Sequence, residues 1–91
     1  MMKLEMTKPA VKAAKKLDAK QFRQVLTAIL ALLDEPEPHD SRALRGAKEG
    51  ERRIDVGEYR VVYSVVDETV SILVIGLRND DDVYKIWDRM K

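Results

Sequence analysis

Between residues 19 and 33, Phe22, Val25, Leu26, Ile29, Leu32 and Leu33 recur at the i, i+3, i+4, i+7 spacing that lines one stripe of a helix. The spacing predicts a helix over Ala19–Leu33 with a buried face. Upstream, Thr7-Lys8-Pro9 has the chemistry of a helix start, a capping hydroxyl followed by proline in the first turn. A helix over Pro9–Leu17 sends Val11, Ala14 and Leu17 to one side and Lys12, Lys15 and Lys16 to the other. Asp18 stops that helix and can cap the next, so the two are expected to form an antiparallel hairpin. Residues 2–6 alternate weakly and suit a short edge strand.

Beyond the loop Asp34–Asp40, with its two prolines, the period changes. Ser41–Gly46 reads as a tether that plugs Leu44 into the core before Gly46 turns. Arg52–Val56, Tyr59–Val66 and Thr69–Leu77 are rich in Val, Ile and Tyr and form a predicted β-meander, broken at Gly57-Glu58 and Asp67-Glu68. Gly57 at the first central position suits a type II′ turn. Counting outward from that turn pairs Val56 with Tyr59, Asp55 with Arg60, Ile54 with Val61 and Arg53 with Val62. One face then carries Ile54, Val56, Tyr59, Val61, Tyr63 and Val65, joined by Val70, Ile72 and Val74, and must pack on the helices. The other carries Arg53, Asp55, Arg60, Val62 and Ser64, joined by Ser71, Leu73 and Ile75. This mixed face needs cover, and the stripe Val83, Ile86, Trp87 and Met90 of a closing helix over Val83–Lys91 supplies it. Asp80 or Asp81 is the expected cap of that helix. The fold class is therefore α+β: an N-terminal helical hairpin on a small, mainly antiparallel sheet, with a short C-terminal helix. Residues 1–91 are expected to make one domain.

Composition narrows the chemistry. With no cysteine there is no disulfide framework and no thiolate nucleophile or ligand, and the lone His39 lies in a proline-rich loop. Neither a metal nor another cofactor is expected. The longest apolar run, Ile29–Leu33, falls far short of the ~20 residues that span a bilayer, and the first residues lack a signal-peptide core. The expectation is a cytoplasmic protein with no membrane partner. A net charge of +1 says little, but its distribution is uneven. Six bases stand against Asp18 between Lys8 and Arg23, and six against four acids between Arg42 and Arg60.

The order of elements and three local strings resemble the RelE/ParE superfamily of toxins from type II toxin–antitoxin systems. The strings are Leu44-x-Gly46, then Arg53-Ile54-x-Val56-Gly57-Glu58-Tyr59-Arg60-Val61-Val62-Tyr63, then Arg78 through Asp82-Val83-Tyr84. The resemblance extends over nearly the whole chain. Its RelE-like branch cuts messenger RNA in the ribosomal A site without metal and is silenced by an antitoxin. It implies a reaction in which the 2′-hydroxyl attacks the adjacent phosphate, a ribosome and mRNA as partners, and a cognate antitoxin. By the same resemblance Arg60 matches an arginine that binds the scissile phosphate, a task suited to a bidentate fork. Arg78 matches a second phosphate-directed arginine, and Tyr84 a tyrosine that orients the nucleotide. Arg53 stands where RelE-like enzymes carry a lysine, and is expected with Arg52 and Lys48 to bind RNA phosphate. Asp55 stands where they carry another lysine.

That departure keeps two alternatives open. One is a ParE-like toxin that inhibits DNA gyrase without catalysis; the other is a toxin fold that only binds its antitoxin. Each residue also has a plain structural use: Asp55–Arg60 as a cross-strand ion pair, Tyr84 as packing, the lysine face of the first helix as solvated surface. An antitoxin strand adding to an exposed sheet edge is expected at Met2–Met6 or Thr69–Leu77.

Overall fold

The computed structural model describes residues 2–44, 46–79 and 82–90. The chain runs β1 (Lys3–Met6), α1 (Lys8–Lys15), α2 (Ala19–Ala31), β2 (Arg42–Ala43), β3 (Glu51–Val56), β4 (Tyr59–Val66), β5 (Thr69–Leu77) and α3 (Asp82–Met90). The caps lie where the sequence placed them. Thr7 accepts from the Ala10 amide, and Asp18 accepts from the Gln21 amide at 2.8 Å. Both hairpin helices end two residues early because their last turns tighten: Leu17 N–H reaches Ala14 O and Leu33 N–H reaches Leu30 O, three residues back. Asp80 and Asp81, expected to cap α3, lie outside the described residues, as does the side chain of Met90.

The sheet has five strands in the order β1-β5-β4-β3-β2. The β3–β4 register is the one counted from the turn, with Val56 opposite Tyr59 and Asp55 opposite Arg60. Gly57 has φ +59°, as a type II′ turn requires at that position. The tether contributes β2, which pairs with β3, and Leu44 is buried as expected. β1 pairs parallel with β5, Lys3 opposite Thr69. Thr69–Ile72 is therefore bonded on both sides, which corrects the assignment of that half of β5 as an edge open to strand addition, while Val74–Leu77 pairs with β4 alone. A meander counted along the chain leaves its last strand exposed; here the N-terminus returns to cover its first half.

A second correction lies within β5. Its pairing with β4 steps from Val62↔Val74 to Tyr63↔Ile72, leaving Leu73 as the extra residue of a bulge. The bulge reverses the alternation beyond it. Ile75 joins Ile54, Val61, Tyr63 and Ile72 against the helices, while Val74 joins Val62, Leu44, Val83 and Trp87 on the other face. Thr7 holds this arrangement from another element. Its hydroxyl donates to Leu73 O at 2.7 Å while its amide donates to Ile72 O at 3.0 Å.

The sheet thus separates two cores, one under α1 and α2 and one under α3. Phe22, placed in the buried stripe by its spacing, is instead 39% exposed. It lines an open apolar cleft between the two helices with Met6, Val11 and Ala14. Among the described residues no helix is long and apolar enough to cross a membrane.

A candidate arginine–tyrosine site on the α3 face of the sheet

The second face of the sheet is dry under α3 and charged at the end nearest the Gly57 turn. Asp55, Arg60 and Gly76 lie side by side on β3, β4 and β5. Gly76 lacks a side chain where α3 crosses: a Cβ there would stand 2.9 Å from Val83 Cγ1. The missing atom allows Val83 to sit fully buried against the sheet, which puts the next residue, Tyr84, over Arg60. Sequence reasoning passed over Gly76, although a glycine inside a strand is itself a signal of close approach.

Arg60 is the hub. Its Nε donates to Asp55 Oδ1 at 2.7 Å and its Nη2 to Asp55 Oδ2 at 3.2 Å, a side-on fork. Its Nη1 donates to the Tyr84 hydroxyl at 2.8 Å. The guanidinium carbon is 5.6 Å from the centroid of the same ring. Only 15% of the Arg60 side chain is exposed, so it is fixed in place rather than sampling solvent. The bonds from Arg60 hold the Asp55 carboxyl below its ordinary range against the opposing effect of burial, helped by the charges of Arg60, Arg53 and Arg78. Asp55 in turn raises Arg60.

Arg53 flanks the pair, its Nη1 3.9 Å from Asp55 Oδ1, and keeps 30% of its side chain exposed. Arg78 is exposed and anchored by its backbone, donating to Glu58 O at 3.0 Å. Arg53, Arg60, Arg78 and Tyr84 are thus brought together around Asp55. Arg52 is not among them. It faces the other side of the sheet, where its Nε and Nη2 donate to Ser41 Oγ at 3.0 and 2.8 Å and its Nη1 pairs with Glu37 at 3.1 Å. Lys48 is exposed just before β3, in a turn whose amides bond the Glu51 carboxylate. At the rise of a strand, Glu51 lies ~13 Å from Asp55, so Lys48 is remote from the hub. Among the described residues no group of three or more His, Cys, Asp or Glu is placed to hold a metal ion.

The family model described as the ParE toxin of type II toxin–antitoxin system, parDE, matches residues 4–84. Comparison with curated proteins gives no match. Among solved structures, the chain is similar to the archaeal RelE of a RelE–RelB complex from Pyrococcus horikoshii OT3, at 30% identity and TM-score 0.77 over 87% of this chain and 97% of that one. It is similar to the isolated E. coli RelE toxin at 25% identity and TM-score 0.76, with both chains fully covered. A YoeB/ParE toxin from Agrobacterium tumefaciens, at 19% identity and TM-score 0.73 over 85% of this chain and 99% of that one, shares the fold. The match over residues 4–84, carried by a fold that puts the expected arginines and tyrosine on one face, makes this chain a member of the RelE/ParE superfamily of type II toxin–antitoxin toxins.

Proposed function

We infer that this toxin is a ribosome-dependent endoribonuclease of the cytoplasm, cleaving mRNA without metal and silenced by a cognate antitoxin. The observation that carries this reading is the Arg60–Tyr84 contact at 2.8 Å with Arg53 and Arg78 beside it. In such a reaction the 2′-hydroxyl attacks the adjacent phosphorus, and the protein must orient the backbone and neutralise the charge growing on the phosphorane. Arg53 and Arg78, the more exposed cations, take the phosphate oxygens. Arg60 fixes Tyr84 at the height of the flanking nucleotide and adds its own charge from below. The antitoxin is supported by the solved complexes of relatives, an archaeal RelE with RelB and E. coli RelBE.

A second reading is favoured by the match to the ParE model and by Asp55, which offsets one of the three arginines: a toxin that binds and inhibits DNA gyrase without catalysis. One paired experiment separates them. Inducing the toxin alone and mapping mRNA ends on translating ribosomes is expected to give codon-phased cuts that vanish in Arg60→Ala. Intact messages together with arrested supercoiling in a gyrase assay would replace the first reading by the second.

A further inference from the structure

Among the described residues β1 is an outer strand of the sheet, bonded to β5 and to no strand beyond. Its bonds follow the parallel pattern: Lys3 N–H donates to Glu68 O at 2.7 Å and Thr7 N–H to Ile72 O at 3.0 Å. The odd-numbered residues therefore turn their backbone groups toward β5, and Leu4 and Met6 turn theirs outward. Such a free edge is a template for another strand. The side chains divide with the same period. Met2, Leu4 and Met6 pack with the core under α1 and α2, while Lys3 and Glu5 are exposed. A lysine on an edge strand ordinarily blocks pairing, but a glutamate two residues on changes that for one partner. Two copies of this edge related by a twofold axis through the sheet run antiparallel, and each hydrogen-bonded pair must join outward-turned residues of both. That leaves three registers. Centring on Lys3 sets lysine against lysine, and centring on Glu5 sets glutamate against glutamate; like charges directly opposite destabilise a strand pair. Centring on Leu4 sets Lys3 opposite Glu5 in both directions, Leu4 opposite Leu4 and Met2 opposite Met6. The charges select this register.

We propose that β1 is a self-association edge, on which a second copy of this chain pairs antiparallel about Leu4 and joins two five-stranded sheets into one. This inference is independent of the nuclease reading. The two Leu4 residues exchange N–H···O bonds, and Met2 with Met6 supplies the next pair on either side. Lys3 and Glu5 fall in the intervening pairs, where facing side chains stand closest. Met6 also lines the open cleft with Phe22, Val11 and Ala14, so the seam ends beside exposed apolar surface. The contact is small, which places the dimer in the micromolar range or weaker. Arg60 lies on β4, two strands from the seam, and its site stays open in each copy. An antitoxin strand laid on Met2–Met6 would need the same edge, so the dimer belongs to the toxin without its antitoxin.

The test is sedimentation equilibrium of the purified full chain between ~10 and ~500 µM, at low and high salt. The wild type is expected to dimerise, more weakly as salt rises. Lys3→Glu and Glu5→Lys each turn both charged pairs into like charges and should raise the dissociation constant ~10-fold or more. Mixed in equal amounts, the two variants complement each other, and a heterodimer of near wild-type affinity should form. Leu4→Pro removes the outward N–H without touching a bond to β5, and should abolish the dimer. A melting curve of each variant checks that the fold is kept. A wild type that stays monomeric throughout would overturn the proposal. So would a dimer that survives the charge reversals or Leu4→Pro, or charge variants that stay monomeric when mixed.

Discussion

At the scale of single residues, the arginines divide by what they touch. Arg53→Ala and Arg78→Ala are expected to weaken mRNA binding across sequences and to lower the salt slope of binding by ~1 each, measured as affinity against ionic strength. Arg52→Ala should leave cleavage intact and cost stability, because its guanidinium ties Ser41 and Glu37 to the sheet. Tyr63 is a purely structural case. Its ring is fully buried and its hydroxyl donates to Pro36 O at 2.8 Å. Tyr63→Phe strands that carbonyl and should cost ~1–2 kcal/mol in urea unfolding. Burial raises the Tyr63 phenol above its ordinary value. Stability from this group is complete below the unfolded tyrosine value of ~10 and is lost as pH climbs through the higher folded value. Tyr63→Phe should flatten that alkaline loss. Asp55 runs the other way: its pKa is lowered, so its contribution is present above the unfolded carboxyl value and fades as pH falls through the folded one.

At the scale of elements, the hairpin was legible and the strand beside it was not. Gly57-Glu58 fixes a two-residue turn, and once the turn is known every β3–β4 pair follows by counting. The caps Thr7 and Asp18 were legible for the same local reason. β5 reads Val-Ser-Ile-Leu-Val-Ile-Gly-Leu after its first residue, apolar at nearly every position past Ser71, so its alternation carries no phase that could reveal the bulge. The bulge is held by Thr7, a partner 66 residues away. The commitments of Arg52 and the parallel pairing of β1 are equally non-local and left no mark on the spacing. Two substitutions test the elements. Thr7→Ala removes both the α1 cap and the bond to Leu73 O, with an expected loss of ~1–2 kcal/mol in thermal or chemical unfolding. Gly76→Ala pushes Val83 and should cost ~1–3 kcal/mol. It should also lower cleavage more than that stability loss explains, because Tyr84 moves off Arg60.

At the scale of the whole molecule, one sheet shared by two cores makes the halves interdependent. The α3 side is small, so Leu44, Val62, Val74 and Trp87 stay dry only while the helix is docked. Trp87 is the only tryptophan and is 7% exposed, which makes its fluorescence a reporter of that docking. If the cores unfold together, the red shift of Trp87 and the loss of far-ultraviolet ellipticity will share one denaturation midpoint. A separate, earlier shift of Trp87 would mean that α3 leaves first and takes Tyr84 with it.

The parallel pairing of β1 with β5 has a consequence in time. Lys3 meets Thr69, so β1 is made 66 residues before the strand it pairs with and waits for it without a partner. Until β5 arrives, β1 has no neighbour in the sheet and the Thr7 hydroxyl has no bulge to hold. Arg78 and Tyr84 are made later still. The growing chain therefore carries no assembled site until Tyr84 has been made, and a ribosome can make both helices and the hairpin before there is a toxin to meet.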